Sequence, residues 1–346
     1  MNVGLDEERV SAWLATNIAG ATEPFTFSLI AGGRSNLTFE VLDGLGERFV
    51  LRRPPLGHVL ATAHDMGREH RLISAIGTTS VPVPRALGLC TDVDVTGAPF
   101  YVMSFVEGVV LDGPEKAALL PAECRESAAF DLIDVLAELH QLDVDAIGLG
   151  DLAKRTGYVE RQLRRWSTQW NDSKTRELPA IEEVEARLRA EIPVQQAVAV
   201  AHGDYRFGNC LTDPAAGRIA AVLDWELCTL GDPLADVGYL RVYWADPVEV
   251  GGSVSGGRHN DPTGAGGFPS YDELVERYAT QTGFDLSRIE YYVAFSSWRL
   301  AVISEGVYAR YLHGAMADDG FDLGTFRQAT DELAEGALAA VRRLGR

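Results

Sequence analysis

The chain has 346 residues, 46% hydrophobic and 23% charged, a profile that fits a folded globular protein and excludes a disordered or fibrous one. Its 31 Lys and Arg stand against 50 Asp and Glu, a formal charge of −19. Such a surface repels nucleic acid phosphate and anionic membranes, keeps the protein soluble and favours a cationic substrate if it selects any.

The N-terminus, MNVGLDEERV, lacks the basic region and apolar run of a secretory leader. The apolar spacing then predicts a helix over 5–18. Strand-like runs follow at 25–30, 37–42 and 48–52, divided by Gly32-Gly33 and Asp43-Gly44 and ended by Pro54-Pro55, which predicts antiparallel strands. A helix over 65–76 stops at Val81-Pro82-Val83-Pro84, and two more strands are expected at 85–90 and 99–106. Beyond Gly113 the helical period takes over, at 123–141, 156–172 and 180–191. Short strands at 197–201, 210–211 and 219–223 interrupt it. Helices resume at 233–245, 271–282, 286–313 and 323–344. The glycine-rich run 251–267 is low in complexity and reads as a surface loop. The expected fold is α+β: a small antiparallel-sheet N-terminal domain over 1–107 and a mostly helical C-terminal domain over 108–346, with a cleft between them as a natural ligand site. No stretch reaches the roughly 18 apolar residues of a membrane helix. Cys90, Cys124, Cys210 and Cys228 form no C-x-x-C pair, so no zinc or redox motif is signalled and a cytoplasmic setting is expected, with no membrane or nucleic acid partner.

Several motifs fail. Gly148-Leu149-Gly150-Asp151-Leu152-Ala153 fits G-x-G-x-x-A but follows a predicted helix where a dinucleotide site needs a strand. H-E-x-x-H and G-x-S-x-G do not occur. Trp166 and Trp170, four apart, read as one packed helix face.

One constellation stands out: His202-Gly203-Asp204-Tyr205-Arg206-Phe207-Gly208-Asn209, then Asp224 behind the apolar run Ala221-Val222-Leu223. Phosphoryl transfer to a hydroxyl needs a carboxylate at the acceptor and oxygen ligands for magnesium. Asp204 suits the first task, as the catalytic residue. Asn209, five positions on, and Asp224, held rigidly by its strand, suit the second, as metal ligands. A lone Asp is more often a cap or turn residue, but a turn has no reason to supply this ordered set.

The spacing matches the protein-kinase loop H-R-D-x-x-x-x-N and the metal Asp of D-F-G, with Gly203 for Arg and Trp225-Glu226 for Phe-Gly. This H-G-D form resembles the aminoglycoside phosphotransferase family, of protein-kinase-like two-lobe fold, as does Gly231-Asp232-Pro233-Leu234-Ala235-Asp236. The resemblance implies a small-molecule kinase using ATP or GTP and Mg2+ on a small hydroxylated acceptor. It gives Asp236 a structural role. His140, in Leu139-His140-Gln141, reads as a structural helix end. Ala31-Gly32-Gly33-Arg34-Ser35-Asn36 reads as a plain hairpin turn or as a phosphate-approaching loop in which Gly33, Ser35 and Asn36 bind nucleotide. By alignment with the kinase pattern, Arg52 takes the place of the phosphate lysine and Glu69 that of its helix partner. Arginine stays charged and binds phosphate bidentately. Ser104, Phe105 and Val106 resemble the strand and hinge that bind adenine, though an ordinary buried strand reads alike. The string Leu51-Arg52-Arg53-Pro54-Pro55 narrows the likeness to a subfamily similar to the N-terminal kinase-like domain of long acyl-CoA dehydrogenases, which implies a hydroxyacyl-CoA or related acceptor. Two alternatives stay open: an aminoglycoside kinase, and a catalytically weak nucleotide-binding module.

Overall fold

The structure, a computed structural model, describes residues 4–30, 36–56, 65–245, 261–314 and 322–344. Two compact units make it up. The first comprises Met1–Gly108, Ile147–Leu149 and Ala220–Leu227, and the second Val109–Ala146, Gly150–Ile219 and Cys228–Arg346.

In the first unit Asp6 caps α1 (Glu7–Asn17), its side chain accepting from the Arg9 amide, with two glutamates in the first turn, where negative charge complements the helix dipole. Then come β1 (Thr26–Ile30), β2 (Leu37–Leu42), β3 (Arg48–Arg53), α2 (Met66–Ile76), β4 (Ala86–Cys90), the one-turn α3 (Val93–Thr96) and β5 (Phe100–Ser104). The strands form one antiparallel sheet in the order β1-β2-β3-β5-β4. Alternation divides its residues between two faces. Phe39, Val41, Leu51, Phe100 and Val102 pack with Val10 and Leu14 of α1 into one core. The register pairs Thr38 with Arg52 and Arg52 with Tyr101, so these residues take the opposite face. The buried stripe of α2, Met66, Glu69, Leu72, Ile73 and Ile76, has helical spacing and carries a glutamate where the pattern calls for an apolar residue.

The second unit holds α4 (Ala122–His140), α5 (Tyr158–Ser173) and α6 (Pro179–Ala190), then β6 (Ala199–Ala201), β7 (Cys210–Asp213), β8 (Arg218–Val222), whose last residues enter the first unit, and β9 (Thr229–Gly231). After these come α7 (Leu234–Leu240), α8 (Tyr271–Thr282), α9 (Ile289–Leu312) and α10 (Leu323–Leu344). The predicted helix over 233–245 is shorter as an α-helix: it ends at Leu240, and a 3-10 turn runs over Arg241–Tyr243. Strand β9, three residues long and paired with β6, carries too short a pattern to read from sequence. Trp166 and Trp170 are both buried on α5. The G-x-G-x-x-A match lies in turns after α4 with no strand before it. Helix α9 is buried along most of its length and packs against α7 and α10. Gly238 makes the first contact possible, since a Cβ there would overlap the backbone of Tyr292. Among the described residues no helix is long and apolar enough to cross a membrane.

Candidate functional site

In the first unit four of the candidate residues gather around one guanidinium. Arg52, placed by the sheet on the face away from α1, is only 12% exposed. Its Nε lies 3.0 Å from Glu69 Oε2, and its Nη2 lies 2.5 Å from Asp224 Oδ1 and 3.8 Å from Glu226 Oε2. The Tyr101 hydroxyl donates to Glu69 Oε2 at 3.1 Å. Asn36 donates through Nδ2 to Glu69 Oε1 at 3.4 Å and to Glu226 Oε2 at 3.1 Å. The charges explain the shifts. Burial pushes the Glu69 carboxyl above its ordinary value even beside Arg52. Burial would lower the Arg52 guanidinium, yet Tyr101, Glu69 and Asp224 together hold it above its usual range. Burial, and then Glu69, drive the Tyr101 phenol well up.

Asp224 has φ 63, the one non-glycine residue with positive φ among those described. Asp tolerates this region better than most residues, at a cost of roughly 1–2 kcal/mol, and such a backbone points to a site that needs its side chain in one place. The neighbouring arginine of the Leu-Arg-Arg-Pro-Pro string does something else: Arg53 donates to the carbonyls of Gly4, Pro54 and Thr96 and ties the chain together.

The Ser104 amide donates to Arg85 O at 2.9 Å, and the Phe105 amide to Arg48 O at 3.4 Å. Phe105 also carries the Arg48 guanidinium 3.5 Å above its ring centroid. Gly33 and Ser35 lie outside the described residues, as do 251–260 of the glycine-rich run.

In the second unit β6 leads straight into the loop that carries Asp204. Gly203 has φ 84, a conformation that glycine adopts without strain. Asp236, in the first turn of α7, accepts from the amides of His202 at 2.6 Å and Gly203 at 2.8 Å. It also bonds His140 Nε2 at 3.2 Å, while His140 Nδ1 meets the Tyr278 hydroxyl at 2.7 Å. Burial acts to raise Asp236, but the His140 hydrogen bond and charge and the Gly203 amide outweigh it and hold it below the ordinary carboxylate value. From α9, Arg299 donates to Gly203 O at 2.5 Å. Asn209 closes the turn: its Nδ2 donates to Asp204 O at 2.8 Å and to Asp204 Oδ2 at 2.7 Å. These contacts fix both ends of the Asp204 carboxylate's support, backbone and side chain.

Sequence reasoning missed the residues that surround Asp204. Arg206 Nε stands 3.5 Å from Asp204 Oδ1, with its guanidinium 4.9 Å from the Tyr243 ring centroid. The Tyr239 and Tyr243 hydroxyls lie 3.3 Å apart. Burial first, and then the Asp204 charge, push both phenols up. Arg206 sits inside the motif itself, and its place two residues after Asp204 was the sequence signal for it. The tyrosines, one helical turn apart on α7 and the 3-10 turn, carry no local signal. Glu226 was quoted only as a departure from D-F-G.

Comparison with known proteins follows the same direction. The phosphotransferase enzyme family matches residues 26–291. Acyl-CoA dehydrogenase family member 10 of Mus musculus is 34% identical over 333 residues, covering 95% of this chain and 30% of that protein. Acyl-CoA dehydrogenase family member 11 of Gallus gallus is 35% identical over 318 residues, covering 91% of this chain and 40% of that protein. The chain thus spans well under half the length of these relatives. A Ralstonia eutropha crystal structure, provisionally described as an aminoglycoside phosphotransferase, superposes with TM-score 0.80 at 32% identity and 98% coverage of both chains. The aminoglycoside phosphotransferase APH(4)-Ia, solved with ADP and hygromycin B, has TM-score 0.57 at 16% identity, covering 96% of this chain and 98% of that one, a likeness of fold alone. The chain belongs to the phosphotransferase enzyme family, and its fold is the protein-kinase-like fold of these neighbours.

Proposed function

We propose that this phosphotransferase moves the γ-phosphoryl group of ATP, or of GTP, onto a hydroxyl of a small molecule with Mg2+ as its metal. The observation that carries the reading is the fixing of Asp204: Asp236 holds the two amides before it, and Asn209 holds its carboxylate. A carboxylate kept in one geometry can orient an acceptor hydroxyl and accept its proton late in an in-line transfer. Positioning and charge neutralisation supply most of such catalysis, so no covalent intermediate on the protein is required.

Asp224 in the first unit and Asn209 in the second each offer a hard oxygen donor of the kind magnesium takes, and a metal that such a donor held would neutralise phosphate charge. Among the described residues no group of three or more His, Cys, Asp or Glu gathers into a metal site. This fits a metal that completes its shell with phosphate oxygens and water. Arg52, paired with Glu69, takes the part of the phosphate cation and can bind through both arms of its fork. Gly33, Ser35 and Asn36 would approach the phosphates, and Ser104, Phe105 and Val106 the adenine. Asn36 would do so while bonded to Glu69 and Glu226.

For the acceptor, the relatives' names favour a hydroxyacyl-CoA or a related hydroxylated metabolite. The acidic charge of −19 supports the second reading, a polycationic aminoglycoside. The test is a screen of purified protein with ATP and Mg2+ against aminoglycosides, hydroxyacyl-CoAs, hydroxy acids and amino alcohols, scoring ADP release with Asp204→Ala as control. Acceptor-dependent release that the variant abolishes supports the reading. Nucleotide binding without turnover across the panel favours a regulatory module instead.

A further inference from the structure

Two departures from the protein-kinase pattern stand 174 positions apart in sequence, Arg52 for the usual lysine and Glu226 for the usual glycine, and they meet in the first unit. The guanidinium uses its Nε on Glu69 and its Nη2 on Asp224, with Glu226 Oε2 at 3.8 Å from the same Nη2. Asn36 bonds Glu226 and Glu69 together from the other side, at 3.1 and 3.4 Å. Both charged side chains are largely withdrawn from water, 12% and 19% exposed, so their attraction is screened less than that of a surface pair.

Building on the nucleotide-binding reading above, we propose that Glu226 is a positioning residue that makes an arginine workable at position 52. A lysine ammonium is a single point of charge that one glutamate can hold. A guanidinium is a fork with five donors, and its second arm reaches the carboxylate assigned to the metal. Glu226, braced by Asn36, draws on that arm. It divides the attraction of Nη2 between two carboxylates and weakens the hold on Asp224 that a magnesium ion has to displace. Without Glu226, the Nη2 arm that already bonds Asp224 is held by that carboxylate alone and competes more strongly with the metal. With lysine at 52 the second arm that meets Glu226 is gone, and Glu226, still bonded to Asn36, sets its negative charge beside the phosphates with less to offset it. Each departure therefore requires the other.

The test is a double-mutant cycle on nucleotide affinity, with ADP titrated in Mg2+ by calorimetry into wild type, Arg52→Lys, Glu226→Gly and the double variant, and thermal unfolding run alongside. We expect each single change to weaken Mg-ADP binding by about tenfold. The double variant should then bind at least tenfold more tightly than the product of the two losses would give. Losses that simply multiply would overturn the pairing. Should a single variant fail to fold, Glu226→Gln keeps the contact with Asn36 and removes the charge. Its affinity should fall at low Mg2+ and recover at high Mg2+, and an affinity that matches wild type at every Mg2+ concentration overturns the proposal. A wild-type protein that binds no nucleotide sinks the phosphotransferase reading and the pairing with it, whereas multiplicative losses in a protein that does bind sink the pairing alone.

Discussion

The proposed phosphoryl transfer rests on Asp204. Replacing it by asparagine keeps its shape and removes its basicity, so Asp204→Asn should lower kcat by about 10²- to 10⁴-fold while leaving Mg-ADP affinity near wild type. A parallel loss of nucleotide affinity would show that Asp204 serves binding. At Asp224 the expectation is reversed. Asp224→Ala should weaken nucleotide binding in a Mg2+-dependent way, and titration with and without the metal reads it. That Asp204 and the Asn five positions on belong together was legible, because one short loop carries both, and the structure joins them by hydrogen bonds. Asn36, Glu69 and Glu226 around Arg52 were legible only in part. Glu69 was legible by alignment with the kinase pattern and the structure sets it 3.0 Å from Arg52, but the link of Glu226 to Arg52 is made by tertiary folding and has no local pattern. The same holds for Tyr239, Tyr243 and Arg299 beside Asp204.

At the scale of elements, the Asp204 loop is only as rigid as the helix end that holds it. Asp236 belongs to α7, and α7 is seated on α9 through Gly238. Removing Asp236 leaves two buried amides and His140 without their acceptor, at about 1–3 kcal/mol for each group left unpaired. Asp236→Ala should therefore melt several degrees lower and also lose turnover. The sign of its pH dependence follows from its lowered carboxyl. The stability it contributes is present above the ordinary carboxylate range and is lost as pH falls through the lowered value. Acid titration of the melting temperature should fall more steeply in wild type than in Asp236→Asn. Gly238→Ala adds a Cβ where the Tyr292 backbone already lies and should cost about 1–3 kcal/mol, read by denaturant unfolding. Most helices were legible from their apolar period, and the Ser270–Glu273 capping box that starts α8 came to light in the structure. Strand β9 and the 3-10 turn after α7 were not, because three residues carry no period.

At the scale of the whole molecule, the mixed sheet-and-helix fold was legible from the change of hydrophobic period along the chain, and its kinase-like character from one motif. The acceptor was not legible, because no motif in the helical part of the chain names one. The longer relatives carry this chain's counterpart within proteins named for acyl-CoA dehydrogenation. The most direct measurement is phosphorus NMR of the protein incubated with Mg-ATP and hydroxylated acceptors. The account predicts a new phosphomonoester resonance that grows as ATP is consumed and is absent with Asp204→Asn. ATP loss to inorganic phosphate alone, or a phosphoester formed equally by the Asp204 variant, would contradict it.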